Sequence, residues 1–103
     1  MEQITVMAEH CKLLGDKTRL TILALLKEQD LCVCDLVELL ETSQPNVSQH
    51  LRKLKDAGIV NESRKGQWIF YSLAINDKPY IQDILNYTPS FKDKVAAKNI
   101  CCE

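Results

Sequence analysis

The stretch from Val33 to Leu73 constrains this chain most. It opens with Leu36, Val37, Leu39 and Leu40, apolar residues at helical spacing over about residues 33–41. Thr42-Ser43-Gln44 follows as a short turn. Ser43 is a good N-cap for the next helix, with Pro45 inside its first turn, where a missing N–H costs little. Gly58 stops that helix. Two runs of strand character then flank Gly66-Gln67: Ile59 to Lys65, and Trp68 to Leu73 with its Trp-Ile-Phe-Tyr sequence. Two short helices across a tight turn, then a hairpin, predict a mainly α chain of the winged helix-turn-helix type. The helix-turn-helix spans about 33–57 and the β-hairpin wing about 59–73.

The flanks suit that frame. Ile4, Met7, Ala8, Cys11 and Leu14 form one stripe of an amphipathic first helix, which makes core packing the expectation for Cys11. Gly15 ends it, and Asp16 is a candidate N-cap for a helix over about 17–27. That second helix is apolar nearly all round, so it should be the buried centre. After Asn76-Asp77 a helix over about 79–87 carries Ile81, Ile84 and Leu85, and Ser90 is placed to cap a last helix reaching about Ile100. A chain of 103 residues, 46% hydrophobic, has room for one domain over 1–103. Its longest apolar run, Ile22 to Leu26, is far too short to cross a membrane. The Met1-Glu2-Gln3 start lacks a secretory pattern, so the expected location is cytoplasmic.

A net charge of -1 says little about partners, but its distribution does. Glu28, Asp30, Asp35, Glu38 and Glu41 fall in a stretch without a base. Arg52, Lys53, Lys55, Arg64 and Lys65 then face only Asp56 and Glu62. A local basic patch on a neutral chain can follow phosphates, although an ordinary solvated face would look the same by charge alone.

The fourth helix separates these readings. At roughly 100° per residue, Val47, Leu51 and Leu54 cluster and must face the core. Gln49 and Arg52 then point away, flanked by Asn46, Ser48 and Lys53, with Gln44 at the helix start. Amides, hydroxyls and an arginine match base edges and phosphates in a major groove. Arg64, Lys65 and Gln67 at the wing tip can reach the adjacent backbone. His50, at the edge of the apolar stripe, reads as a packed or hydrogen-bonded residue more than a metal ligand, and it completes the DNA-facing set. The expected partner is double-stranded operator DNA.

Five cysteines without an export pattern argue for reduced thiols. Cys32-Val33-Cys34 is the sharpest chemical feature. In mid-helix two such side chains would diverge, but here they stand at a helix start, where free N–H groups and the helix dipole favour thiolate. Thiolates select soft ions: Cd(II), Pb(II), Zn(II), or trivalent arsenic and antimony. Drawing both sulfurs onto one ion should distort the first turn of the helix that props the DNA-reading helix, coupling the two sites. The bland alternative is two small residues filling a gap. Cys101-Cys102, near the end of the sequence, could add ligands or undergo oxidation; Cys11 is a weaker candidate ligand. An enzyme is not expected. No cysteine has an arginine six positions later, and Cys-x-x-Cys and glycine-rich phosphate loops are missing. A thiol-redox-responsive repressor, or a winged helix used only for protein contact, are the other readings.

LCVCDL at Leu31–Leu36, SQPNVSQHLRKLKDAGIV at Ser43–Val60 and GQWIFYSL at Gly66–Leu73 together resemble the ArsR/SmtB family of metal-responsive repressors, over about residues 4–87. The resemblance implies a homodimer built mainly on the first and last helices, bound to a two-fold operator and released when an ion binds. In the arsenite-responsive members, which this chain resembles most, the CVC segment binds As(III) or Sb(III). Some of these carry a third cysteine three residues after the second; Val37 stands there in this chain, so a third thiolate would have to come from Cys11, Cys101 or Cys102. Zinc sensors of the family use His and acidic pairs on the C-terminal helix, and Asn76 to Tyr87 holds Asp77 and Asp83 but no His. Cd(II)/Pb(II) sensors share the CVC segment but add cysteines in an N-terminal extension. Arsenite is therefore the leading effector, with Cd(II) or Pb(II) behind it.

Overall fold

In a computed structural model, residues 1–97 are described. The elements are α1 (Glu2–Leu14), α2 (Lys17–Glu28), β1 (Leu31–Cys32), α3 (Val33–Leu40), α4 (Gln44–Asp56), β2 (Val60–Lys65), β3 (Trp68–Leu73), α5 (Pro79–Asn86) and α6 (Lys92–Ala97). It is a mainly helical winged helix-turn-helix with a three-stranded antiparallel sheet in the order β1-β3-β2.

Ile22 to Leu26 are all buried, so α2 is the central helix. Leu36 and Leu39 of α3, Val47, Leu51 and Leu54 of α4, Ile59 and Val60 before and in β2, and Ile81 and Leu85 of α5 close around it. Asp16 caps α2, its carboxylate accepting the Arg19 N–H at 3.0 Å. That bond, ahead of the Coulombic pull of Arg19, holds the Asp16 carboxyl below its ordinary range. Ser43 caps α4 by accepting the Asn46 N–H. At the other end of α4, the Gly58 N–H donates to Lys55 O and the Ile59 N–H to Leu54 O, both at 2.9 Å, with Gly58 at φ +75°. This glycine-dependent cap turns the chain directly into β2. Gly66, at φ +63°, makes the two-residue hairpin turn that sets Glu62 opposite Tyr71 and Lys65 opposite Trp68.

Two features depart from the sequence reading. Strand β1 is only two residues long, too short to carry a periodic signal, and it pairs Leu31 with Tyr71 and Cys32 with Phe70. The second concerns α1. Cys11, expected to pack in the core, is exposed, and Ile4 on the same stripe is 60% exposed. Of that stripe only Leu14 is buried; with His10 and the partly buried Leu13 it makes the inner face of α1, centred about one helical step away from the stripe. His10 is buried because its Nδ1 lies 2.7 Å from the Tyr80 hydroxyl and its ring stacks on Tyr80. A polar residue on the inner face satisfied by one partner has no periodic signature.

The C-terminal helices are tied to the end of α2. Lys27 Nζ donates to Leu85 O and Glu28 accepts the Phe91 N–H at the start of α6. The last helix is described to Ala97; its expected extension to Ile100, and Cys101 and Cys102, lie outside the described residues.

Candidate functional site

Helix α4 presents Gln44, Ser48, Gln49, Arg52 and Lys53 to solvent, because its apolar side is taken up by Val47, Leu51 and Leu54. Two of the residues singled out on this helix are already engaged. Asn46, half-buried, donates to the Thr42 hydroxyl at 3.1 Å. His50, also half-buried, has Nδ1 3.1 Å from Arg19 Nη1; a guanidinium can only donate, so the ring nitrogen accepts. Arg19 also donates through Nε to Leu13 O at 2.7 Å and so ties α4 to the end of α1.

Across from α4 stands the wing. Pro45, Ser48, Gln49, Arg52, Lys55 and Asp56 of α4, with Glu62 and Tyr71 of the sheet, line an open groove of about 690 Å³. Lys55 pairs with Glu62 at 3.0 Å, and the Tyr71 hydroxyl donates to the other Glu62 oxygen at 2.8 Å. The tyrosine hydrogen bond, then that of Lys55, holds the Glu62 carboxyl below its ordinary range. Burial first, and the bond to Glu62 second, push the Tyr71 phenol up to about 12. Glu62 thus joins the cross-strand partner Tyr71 to Lys55 of α4 across the groove. Arg64, Lys65 and Gln67 are exposed at the wing tip, where Lys65 Nζ also sits 5.3 Å from the centre of the Phe70 ring.

The thiols lie where α3 begins. Cys32 is both the last residue of β1 and the N-cap of α3, held on one side by the pairing with Phe70. It is 2% exposed, whereas Cys34 in the first turn of α3 is half-exposed. Their sulfur atoms are 2.8 Å apart. Asp35, buried at 1% exposure, accepts the Cys32 backbone N–H at 3.3 Å and contacts Cys32 Sγ at 3.2 Å through the same oxygen. The arrangement is a reciprocal capping box. Cys32, Cys34 and Asp35 bring one ligand atom each within 4.8 Å of one another, a mixed sulfur and oxygen set able to hold a thiophilic ion. Asp35 was not singled out from the sequence, although a carboxylate three residues after an N-cap is the signature of such a box.

The thiols do not sit apart from the surfaces described above. Cys32, Val33, Cys34 and Val37 share a groove of about 410 Å³ with Gln44 at the start of α4 and Gln67, Trp68 and Ile69 at the turn of the wing. Gln44 and Gln67 were expected to face DNA; they also border the thiol site. Trp68 and Ile69 could not be assigned to it from sequence, because β1 is the strand that brings the thiols beside β3. Cys11 is remote in sequence and lies on the exposed side of α1.

Among the described residues, no helix is long and apolar enough to cross a membrane. The family model "Bacterial regulatory protein, arsR family" matches residues 16–62. The arsenic resistance transcriptional regulator ArsR1 of Pseudomonas putida is 49% identical over 63 residues, covering 60% of this chain and 49% of that protein, so the match spans about half of that relative's length. The cadmium resistance transcriptional regulatory protein CadC of Listeria innocua is 36% identical over 87 residues, covering 84% of this chain and 71% of that protein. Among solved structures, the homodimeric winged helix-turn-helix DNA-binding domain Mb0332 of Mycobacterium bovis aligns with a TM-score of 0.73 and 25% identity, covering 82% of this chain and 79% of that one. Each of these relatives is a regulator or a DNA-binding domain by its description, and none is an enzyme.

Proposed function

The chain belongs to the arsR family of bacterial regulatory proteins, and on that premise we propose that it is a homodimeric repressor that leaves double-stranded operator DNA when As(III) or Sb(III) binds Cys32 and Cys34. The observation that carries this reading is the shared groove: the two thiols border both Gln44, where the exposed face of α4 starts, and Gln67, at the tip of the wing.

In this reading the DNA is met by Gln44, Ser48, Gln49, Arg52 and Lys53 on α4 and by Arg64, Lys65 and Gln67 on the wing, with Asn46 and His50 bracing the helix from its sides. An ion that binds both sulfurs replaces the Cys32 thiol proton, and a thiolate then faces the Asp35 carboxylate at a separation now 3.2 Å. The capping box cannot keep both the ion and its present geometry. Losing a cap costs about 0.5–2 kcal/mol. To the extent that operator binding requires the capped turn, that cost appears as coupling between ion and DNA of up to about tenfold, at roughly 1.4 kcal/mol per tenfold in affinity. The shift of α3 under α4, and the pull on β3 through Cys32, add to that. Cytoplasmic location and pairing through the exposed stripe of α1 complete the reading.

A second effector class is favoured by one observation. The Asp35 oxygen beside the two sulfurs makes a mixed set that suits a divalent ion such as Cd(II) or Pb(II), and CadC is among the relatives. Fluorescence anisotropy decides between them. A labelled duplex, selected by the protein from random sequence, is titrated with As(III), Cd(II), Zn(II) and peroxide in parallel. Arsenite is expected to release the DNA, and the Cys32→Ser/Cys34→Ser double variant should bind DNA but ignore arsenite. Release by peroxide alone, or an unchanged arsenite response in the double variant, would defeat the reading.

A further inference from the structure

The groove beside the thiols is far larger than an ion requires. It measures about 410 Å³, against a volume of about 30 Å³ for a single water in the liquid. Its walls next to the sulfurs are Val33 and Val37 of α3 and Trp68 and Ile69 of β3, with the Gln44 and Gln67 amides at the rim. Val37 is one helical turn beyond Cys34 on the same face of α3. A trivalent centre bonded to both sulfurs has one bond left. The apolar residues that line the groove with the sulfurs are two valines, an isoleucine and an indole.

We propose that this groove receives a hydrocarbon substituent, so that the preferred effector is a trivalent arsenic or antimony centre carrying one apolar organic group. The inference rests on the reading of Cys32 and Cys34 as the effector's thiol ligands, and it adds what fills the remaining bond. The chemistry is ligand exchange without redox change. An arsenic centre bearing one organic group and two hydroxyls loses both As–O bonds and gains two As–S bonds, and the two thiol protons leave in two molecules of water. The substituent is then laid between Val37 and Trp68, where removing apolar surface from water favours the larger group. A planar ring in particular gains from the indole face.

Phenylarsine oxide and methylarsonous acid each present two exchangeable positions and differ only in the organic group, so calorimetric titration of the full chain with both isolates the groove. The ratio of the two affinities is divided by the same ratio measured for dithiothreitol, which has two thiols and no groove. The expected corrected preference for phenyl is roughly tenfold or more, and Val37→Phe, which fills the groove, and Trp68→Ala, which removes a wall, should each bring it toward one. A corrected ratio of one in the wild-type chain overturns the proposal while leaving the thiol reading intact. Binding of neither compound, or binding unaffected by the Cys32→Ser/Cys34→Ser variant, overturns the thiol reading and the groove proposal with it. The wild-type ratio decides the matter even if a variant fails to fold.

Discussion

Helices α1 and α4 make an instructive pair. Each is 13 residues long, and each has an apolar stripe at helical spacing. In α4 the stripe is fully inside: Val47 and Leu54 are 0% exposed and Leu51 is 1%. In α1 most of the stripe faces out, with Ile4 60% exposed and Ala8 and Cys11 also exposed, and only Leu14 in the last turn reaches the core. The same periodicity therefore has two meanings. Helix α4 spends its apolar side on its own core and leaves a polar side for a polar partner. Helix α1 leaves an apolar side exposed, the side that a second copy of the chain would cover in the homodimer proposed above.

Truncating one residue from each stripe tests this contrast most strongly. Leu51→Ala should destabilise the chain by about 3 kcal/mol, within the range of buried leucine truncations. Ile4→Ser should cost the isolated chain less than about 0.5 kcal/mol yet weaken self-association, making the melting temperature less dependent on protein concentration. Equal losses from both, by chemical denaturation and sedimentation, would remove the distinction between the helices. On the outer side of α4, Arg52→Ala should leave stability unchanged and lower DNA affinity by about tenfold, with the salt dependence reduced by about one counterion. Anisotropy at several salt concentrations reads both.

Smaller effects come from the joint between α4 and the wing. Tyr71→Phe should cost about 1 kcal/mol through the lost bond to Glu62. The wild-type chain should also lose stability at both ends of a pH series. Glu62 is held below its ordinary value, so its contribution is present above that value and fades as pH falls through the lowered one. Tyr71 is raised from 10.0 to about 12, so its contribution is complete below pH 10 and fades as pH rises toward 12. The phenylalanine variant should lack the alkaline limb; a limb that persists would assign it to other groups. The least change is expected at Glu41, a non-glycine residue at φ 54° in the turn before α4. Glu41→Gly should relieve left-handed strain and alter stability by no more than about 1 kcal/mol, in the stabilising direction.

Much of this was readable from residue order. Ser43, Pro45 and Gly58 bracket α4 through local chemistry alone, and Gly66-Gln67 sets the hairpin register, because caps and tight turns depend only on neighbours in the chain. The thiol pair was legible for the same reason: its place at the start of α3 follows from where the helical spacing begins. Asp35 was legible in principle, as the third residue after the cap, but its burial beside the sulfurs needed the fold. Cys11 lies outside the core it was expected to join and His10 lies inside, since a stripe records which residues are apolar and not which surface meets them.

Sequence by itself thus determined the order of the helices and the wing hairpin, the caps of α2 and α4, the turn of the hairpin, and the presence of two thiols at the head of the support helix. Only the tertiary structure decided that those thiols open onto the same groove as Gln44 and Gln67, against Trp68 and Ile69. The reason is physical: β1 joins Cys32 to Phe70 through two residues of strand pairing, and contacts between segments nearly forty residues apart leave no local pattern in either one.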